Sequence, residues 1–386
     1  MRPLSWRRLF SPALVLCGAL VTPLSSATAD DLAFFGSHSV GPNRGISVAH
    51  FDRMSGVLTK PELVVVAPAP AYFVLHPDGR HLYACNSNDF AKGYTGETVS
   101  AYAIEPASGR LSLINQQPSG GADPTYLWLD STSRHLLVAN YKGGSVAVLA
   151  VDPDGSLGER TAFQQHTGSS VDPKRQTQPY AHSVRLDPAN GFALVADLGV
   201  DRLFVYRFDP KSGSLAPGDP PSMKVTPGSG PRHLTFHPSG RFVYLLNEMA
   251  CSINAYAWDP MKGTLAELQT ISTLPASFIE ANTSAEIEVH PDGRFLYATN
   301  RGHDSIAVFA IDAVTGRLTL VEHVASHGRS PRNFEFDPSG RWLIVTNHAS
   351  DNAMVFRIDE ASGRLTPVGE PVSVPSPFGV RFLRRP

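Results

Sequence analysis

Apolar and polar positions alternate along this chain in short runs, and the runs return in the same order at a near-constant interval. The stretch 231–257, PRHLTFHPSGRFVYLLNEMACSINAYA, shows the unit. An apolar strand over 233–236 enters a polar turn at His237-Pro238-Ser239-Gly240, a second apolar strand covers 241–247, and a third with alternating apolar residues covers 252–258. Proline presets the φ that a type I turn needs, and glycine relieves the exit position. Strands of this length between such turns, with no helical periodicity nearby, predict antiparallel β structure.

Aligned on the turn between first and second strands, the equivalent positions are Pro77, Ser131, Pro188, Pro238, Pro291 and Pro338, spaced 47 to 57 residues apart. The turns read HPDGR, DSTSR, DPANG, HPSGR, HPDGR and DPSGR. A second set of turns, MSGVL, ASGRL, PDGSL, KSGSL, MKGTL, VTGRL and ASGRL, follows the third strand and has seven members. The mismatch of six against seven has a physical reading. The first copy, 32–60, has outer strands without an inner one, while the chain ends on 377–382, PFGVRF, an inner strand with nothing after it. Joining the two completes a seventh copy and removes the exposed edge that an open array would leave. The expectation is an all-β, seven-bladed β-propeller, closed by pairing of N- and C-terminal strands in one blade, with residues 30–386 forming a single domain.

Composition changes this picture at one end. Arg2, Arg7 and Arg8 precede an apolar run over 12–21, and Ala27-Thr28-Ala29 supplies a small-residue cleavage pattern, so residues 1–29 read as a secretory signal. The run is well short of the roughly 20 residues that cross a bilayer, so no membrane span is expected. Arg7-Arg8-Leu9-Phe10 also fits a twin-arginine export signal. Leu16, before Cys17, is too large for a lipoprotein site. The expected location is therefore periplasmic or secreted. The whole chain carries 33 basic and 35 acidic residues, and without the leader 30 remain against 35, which suggests no nucleic-acid partner. Cys85 and Cys251 fall in different repeats and read as buried free thiols. The protein is expected to be a monomer.

Candidate chemistry follows from the repeat. First and second strands are antiparallel, so the residue entering the first and the residue leaving the second lie at one end of the central channel. Six residues before the turn position stand Ala71, Thr125, His182, Arg232, Ala285 and Arg332; ten after it stand Ser87, Tyr141, Leu198, Glu248, Arg301 and His348. Three arginines, two histidines and a glutamate around one mouth invert the sign of a mildly acidic protein. Clustered guanidinia repel one another unless an anion lies between them, so a small anionic substrate is expected there. Two irregular segments, 168–181 (with Arg175) and 273–284, lead into inner strands, and long connections on a rigid scaffold often carry function. His76, His237 and His290 sit where side chains can cap the turn, and Asp197 to Asp201 reads as a tight turn rather than a calcium loop. Asn86, Asn140, Asn247, Asn300 and Asn347 close second strands and are suited to satisfying loop backbone groups. No zinc, EF-hand, P-loop, GxGxxG or GxSxG spacing occurs, so neither metal nor cofactor is expected.

The runs RQTQPYAHSVRLDP (175–188), ADLGVDRLFVYRFD (196–209), GPRHLTFHPSGRFVYLLNE (230–248) and TNR (299–301) closely resemble the seven-bladed propeller lactonase family, which includes 6-phosphogluconolactonases and the fungal carboxy-cis,cis-muconate cyclases. The resemblance implies a catalytic set of His182, Arg232, Glu248 and Arg301, four of the six rim residues; Arg332 and His348 from the same slots, with Arg175 of the 168–181 connection, are expected as substrate-binding groups. Tyr180 departs from it, since relatives often have histidine there. Lactone hydrolysis needs a base for water, donors for the oxyanion and a proton for the leaving alkoxide. On the resemblance, the arginines hold the anionic group and the oxyanion. His182 and Glu248 share the proton transfers, and His182, with the better-placed unperturbed pKa, is favoured as base. Three functions stay open: hydrolysis of an anionic sugar-acid lactone, the reverse lactonisation of an unsaturated diacid, and non-catalytic binding of a ligand or protein at the same rim.

Overall fold

Second strands of the repeat are largely apolar on both alternating faces up to a closing Asn or Asp, which is the pattern of a strand covered on both sides. In the computed structural model, which describes residues 30–38, 45–87 and 97–384, they are so covered. Phe192–Asp197, Phe242–Asn247 and Trp342–Asn347 are buried along their whole length between neighbouring sheets. Fourth strands such as Leu111–Pro118 alternate towards solvent. The described residues form seven four-stranded antiparallel sheets, each in chain order from the axis outward except the one that closes the ring. Blade one joins the inner strand Pro377–Leu383 to Asp31–Ser37, Ile46–Phe51 and Glu62–Val65. Blades two to seven cover residues 73–118, 124–165, 181–224, 231–272, 283–325 and 331–373. Residues 1–29, the stretch read from sequence as a secretory signal, lie outside the described residues.

The closure predicted from the half-copies is present: Leu32 pairs with Leu383, Phe34 with Arg381 and Gly36 with Gly379. Phe34, Phe35 and Val380 are fully buried there, so the seam is apolar as well as hydrogen-bonded.

Between blades the repeat explains its own turn residues. In six of the seven blades an aromatic or imidazole ring that begins the second strand packs on the hairpin glycine of the next blade; in blade one Leu32 takes that place against Gly109. A Cβ on Gly316, at φ +69°, would lie 2.4 Å from the Phe242 ring, so the position requires glycine on two grounds. Tyr244 and Tyr297 donate to the carbonyls of Gly316 and Gly363 at 3.0 and 2.7 Å. The turn histidines are structural, as expected. His237 Nδ1 accepts from Ser239 N at 3.0 Å, while its Nε2 reaches the carbonyl of Gly293 in the next blade at 2.8 Å. Asn140, Asn300 and Asn347 donate to loop carbonyls of Ser119, Thr273 and Ser326. Cys85 and Cys251 are buried free thiols.

One irregularity sets up the site. In the inner strands of blades three, four, five and seven the ladder slips by one residue, at Thr125, His182, Arg232 and Arg332. Such a bulge leaves one residue unpaired and re-aims its side chain. Without it, strand alternation would send one of any two adjacent side chains away from the axis. With it, both face the channel: the bulged residue at the mouth, and its successor (Tyr126, His233 or Asn333) below. Two residues further on, Trp128, Arg185, Glu288, Glu335 and Arg381 reach the opposite mouth. The channel is thus filled in three layers.

Truncation of the chain before Pro377 should leave the 31–37 strand as a bare edge. The expected result is loss of the cooperative thermal transition and aggregation, checked by circular dichroism and size-exclusion chromatography.

Candidate active site

The bulged residues and the ends of the second strands enclose a cavity of about 410 Å³ at one mouth of the channel. Its wall contains His182, Arg232 and Arg332 from inner strands, Glu248 and Arg301 from second-strand ends, and Arg175 from the 168–181 connection. Residues spread over more than 150 positions of chain therefore meet in one space, as the two equivalent slots predicted.

Glu248 is the hub. Its Oε2 accepts from Arg232 Nη1 at 2.7 Å and lies 3.1 Å from Arg301 Nη2, while Oε1 accepts from Arg175 Nη2 at 2.7 Å. Arg232 is held from behind, its Nε donating to the carbonyl of Ala285 at 2.7 Å, and Arg301 Nη2 donates to that of Ser284 at 3.1 Å. Burial alone would raise the Glu248 pKa, but Arg301, Arg232 and Arg175 together hold it well below the usual carboxylate value. Glu248 is thus an anion at ordinary pH and has no proton to give.

His182 is buried beside it, with Nε2 4.0 Å from Glu248 Oε2. Arg232 Nη1 also donates to that Nε2. An imidazole nitrogen that accepts carries no proton, so neutral His182 is protonated on Nδ1, a buried atom without a hydrogen-bond partner among the described residues. Burial first, then Arg232, push its pKa well below the usual histidine value. The nitrogen that a base would use is therefore engaged.

Across the cavity the chemistry differs. The Arg332 guanidinium lies 3.9 Å over the Phe378 ring and makes no hydrogen bond or ion pair with a described residue. Burial, Arg232 and Arg301 all press its pKa down, which an incoming anion would relieve. Burial, partly offset by Glu248, likewise brings Arg301 down to about 10. His38 stacks on Phe378 at 4.1 Å and His348 meets it edge-on at 4.5 Å. Burial and Arg332 lower both histidines to about 4, so both are neutral at pH 7. His348 supports Phe378 rather than lining the cavity, which is the one candidate residue set back from it.

The slots passed over some wall residues because they are not ionisable at neutral pH, and two because the closing blade has no such turn between its first and second strands. Thr125 and Tyr141 occupy the two slots of blade three. Phe378 and His38 are the same two slots in the closing blade, found by aligning PFGVRF with PRNFEF and Ser37-His38 with Asn347-His348. Asp123 carried no repeat signal. Tyr180 packs against Tyr141 at 4.9 Å, so its difference from histidine touches the rim of the cavity.

A seven-bladed propeller with a buried histidine, a carboxylate and four arginines at one channel mouth is built to bind and polarise a small oxygen-rich molecule. The chain belongs to the seven-bladed β-propeller lactonase family: the family described as "Lactonase, 7-bladed beta-propeller" matches residues 32–382. It is 34% identical over 354 residues to a 6-phosphogluconolactonase of Bacillus subtilis, covering 92% of this chain and 99% of that protein. Among solved structures it is similar to the periplasmic gluconolactonase of Pseudomonas aeruginosa, with a TM-score of 0.87 and 36% identity, covering 92% of this chain and 100% of that one. A 6-phosphogluconolactonase structure from Bacteroides fragilis, described as putative, gives 0.85 and 33%, covering 93% and 99%.

Replacing Glu248 by Gln removes the counter-charge of three guanidinia and should cost about 3 kcal/mol or more at pH 7. The folded-state pKa is depressed, so the ionised carboxylate contributes its stability above the unfolded value near 4.5 and loses it as pH falls through the folded one. Thermal unfolding of wild type and E248Q should therefore converge towards low pH.

Proposed function

We propose that this lactonase is an exported enzyme that hydrolyses the lactone of a sugar acid bearing a negative charge, in the cavity between Glu248 and Phe378. One observation carries the charge: Arg332 faces the cavity with no ion pair to a described residue, its charge only partly offset by Asp123 of the same wall, opposite a cluster in which three other arginines are already shared by Glu248. A substrate carboxylate or phosphate fits between the Arg332 guanidinium and the lactone site. Arg232 and Arg301 then donate to the carbonyl oxygen as it becomes an oxyanion, in a buried site where such donors act most strongly. Glu248 keeps the guanidinia close together against their repulsion. Neutral His182, its tautomer set by Arg232, accepts from that guanidinium and steadies it beside the developing oxyanion.

The Bacillus relative is named for a phosphorylated lactone and the Pseudomonas relative for an unphosphorylated one, so the panel below includes both. The presence of His182 and Glu248 in the same cavity as the arginines favours hydrolysis over simple binding, for which the arginines alone would serve. Export from the leader at 1–29 favours a substrate found outside the cytosol.

The test is a lactone panel on the mature protein: gluconolactone, a glucaric acid lactone and 6-phosphogluconolactone. At least one charged lactone should exceed gluconolactone about tenfold in kcat/KM, and Arg332→Gln should erase that preference. Arg232→Ala should lower kcat by about 10² or more with the fold retained. No turnover of any lactone, or full activity in R232A, overturns the assignment.

A further inference from the structure

One layer beneath this centre, the residues that follow the bulges plug the channel, and two of them form an imidazole–carboxylate pair. His233 Nδ1 donates to Glu286 Oε1 at 2.6 Å. The other carboxylate oxygen accepts from Asn333 Nδ2, and Asn333 Oδ1 accepts from Val380 N at 3.0 Å. Glu286 is thereby fixed at both oxygens. Burial would raise its pKa, but His233, Arg381 and Arg185 hold it at about 2. A carboxylate bound to Nδ1 places the ring proton there and leaves the lone pair on Nε2. His233 also lines a cavity of about 20 Å³ together with His182, Arg232, Arg332, Thr125 and Phe378, six residues of which the last five also wall the main cavity above. That volume holds one water.

We propose that His233, oriented by Glu286, is the base that activates the attacking water, from beneath the lactone that the upper layer binds. This rests on the lactonase reading of the cavity. Two geometric facts separate His233 from His182. The Nε2 of His182 is occupied by Arg232, whereas the engaged nitrogen of His233 is the one whose engagement frees the other. The water in the small cavity loses a proton to His233 Nε2 while its oxygen bonds to the lactone carbonyl carbon, and the carbonyl electrons move onto oxygen beside Arg232 and Arg301. On collapse the carbonyl re-forms, the ring C–O bond breaks, and the alkoxide takes the proton back from the His233 imidazolium. The new carboxylic acid then ionises and releases one proton to solvent. Glu286 acts through His233 and is a positioning residue.

The groups facing His233 are Glu286, which raises its pKa, Arg232 and Arg185, which lower it, and the rings of His182, Tyr72 and Tyr126. Burial dominates and brings His233 to about 4, so the resting imidazole is neutral.

The experiment compares wild type, His233→Gln and Glu286→Gln on whichever lactone the wild type turns over. Folding is followed by thermal unfolding, and an intact upper cavity by calorimetric binding of the hydroxy-acid product. H233Q should lower kcat by about 10² to 10⁴ with KM within a few-fold. E286Q should lower kcat at least tenfold and move the acidic limb of its pH profile to lower pH, since the carboxylate that raises the His233 pKa is gone; a merely structural role would leave that limb in place. Near wild-type kcat in H233Q, or an unmoved limb in E286Q, overturns the proposal. So does failure of both variants to fold, which marks the pair as a structural plug. An inactive wild type instead rejects the lactonase reading itself.

Discussion

Seven twisted sheets can stand around one axis only if the last is hydrogen-bonded to the first, and here a single seam does it. The strand 377–383 lies between the axis and the strand 31–37, so the two ends of the chain share one blade. Every other feature of the channel inherits its position from that closure. It fixes the number of inner strands, and hence how many side chains each layer of the channel receives. It also supplies Phe378, the ring on which Arg332 lies, and Arg381, which helps hold Glu286 ionised beneath.

Within the ring, the inner-strand bulge turns a stabilising scaffold into a site. A regular ladder would offer the axis one residue in two, and the mouth and the layer below it could not both be lined by adjacent residues. The slip at His182, Arg232 and Arg332 lets neighbouring residues of one strand serve two layers, so Arg232 takes part in the upper cluster and His233 in the lower one. The same strand thus carries a polarising group and an imidazole–carboxylate pair.

Electrostatics then decides the state of each group. Four arginines converge on a cavity in which Glu248 neutralises part of their charge; burial, and then the arginines, keep the nearby histidines neutral, and the arginines keep Glu248 ionised. A site with surplus positive charge and neutral imidazoles is suited to stabilising a developing oxyanion. Among the described residues Arg332 alone of these four has no carboxylate in ion-pair contact, which leaves it as the natural counter-charge for a substrate anion.

The order of strands, the number of blades, the closure of the ring and the identities of His182, Arg232, Glu248, Arg301 and Arg332 were legible in the sequence, because each depends on a pattern that recurs every 50 or so residues. Pairing period, turn chemistry and slot position are local properties, and a repeat multiplies them until they stand out. Arg175 was legible only as part of a long connection, and its contact with Glu248 came from the fold. The protonation states and tautomers were decided by tertiary structure alone. The pKa of His182 depends on an arginine fifty residues away, and the pairing of His233 with Glu286 joins two different blades. Such contacts arise where strands distant in sequence meet around an axis, and no periodicity along one strand encodes them.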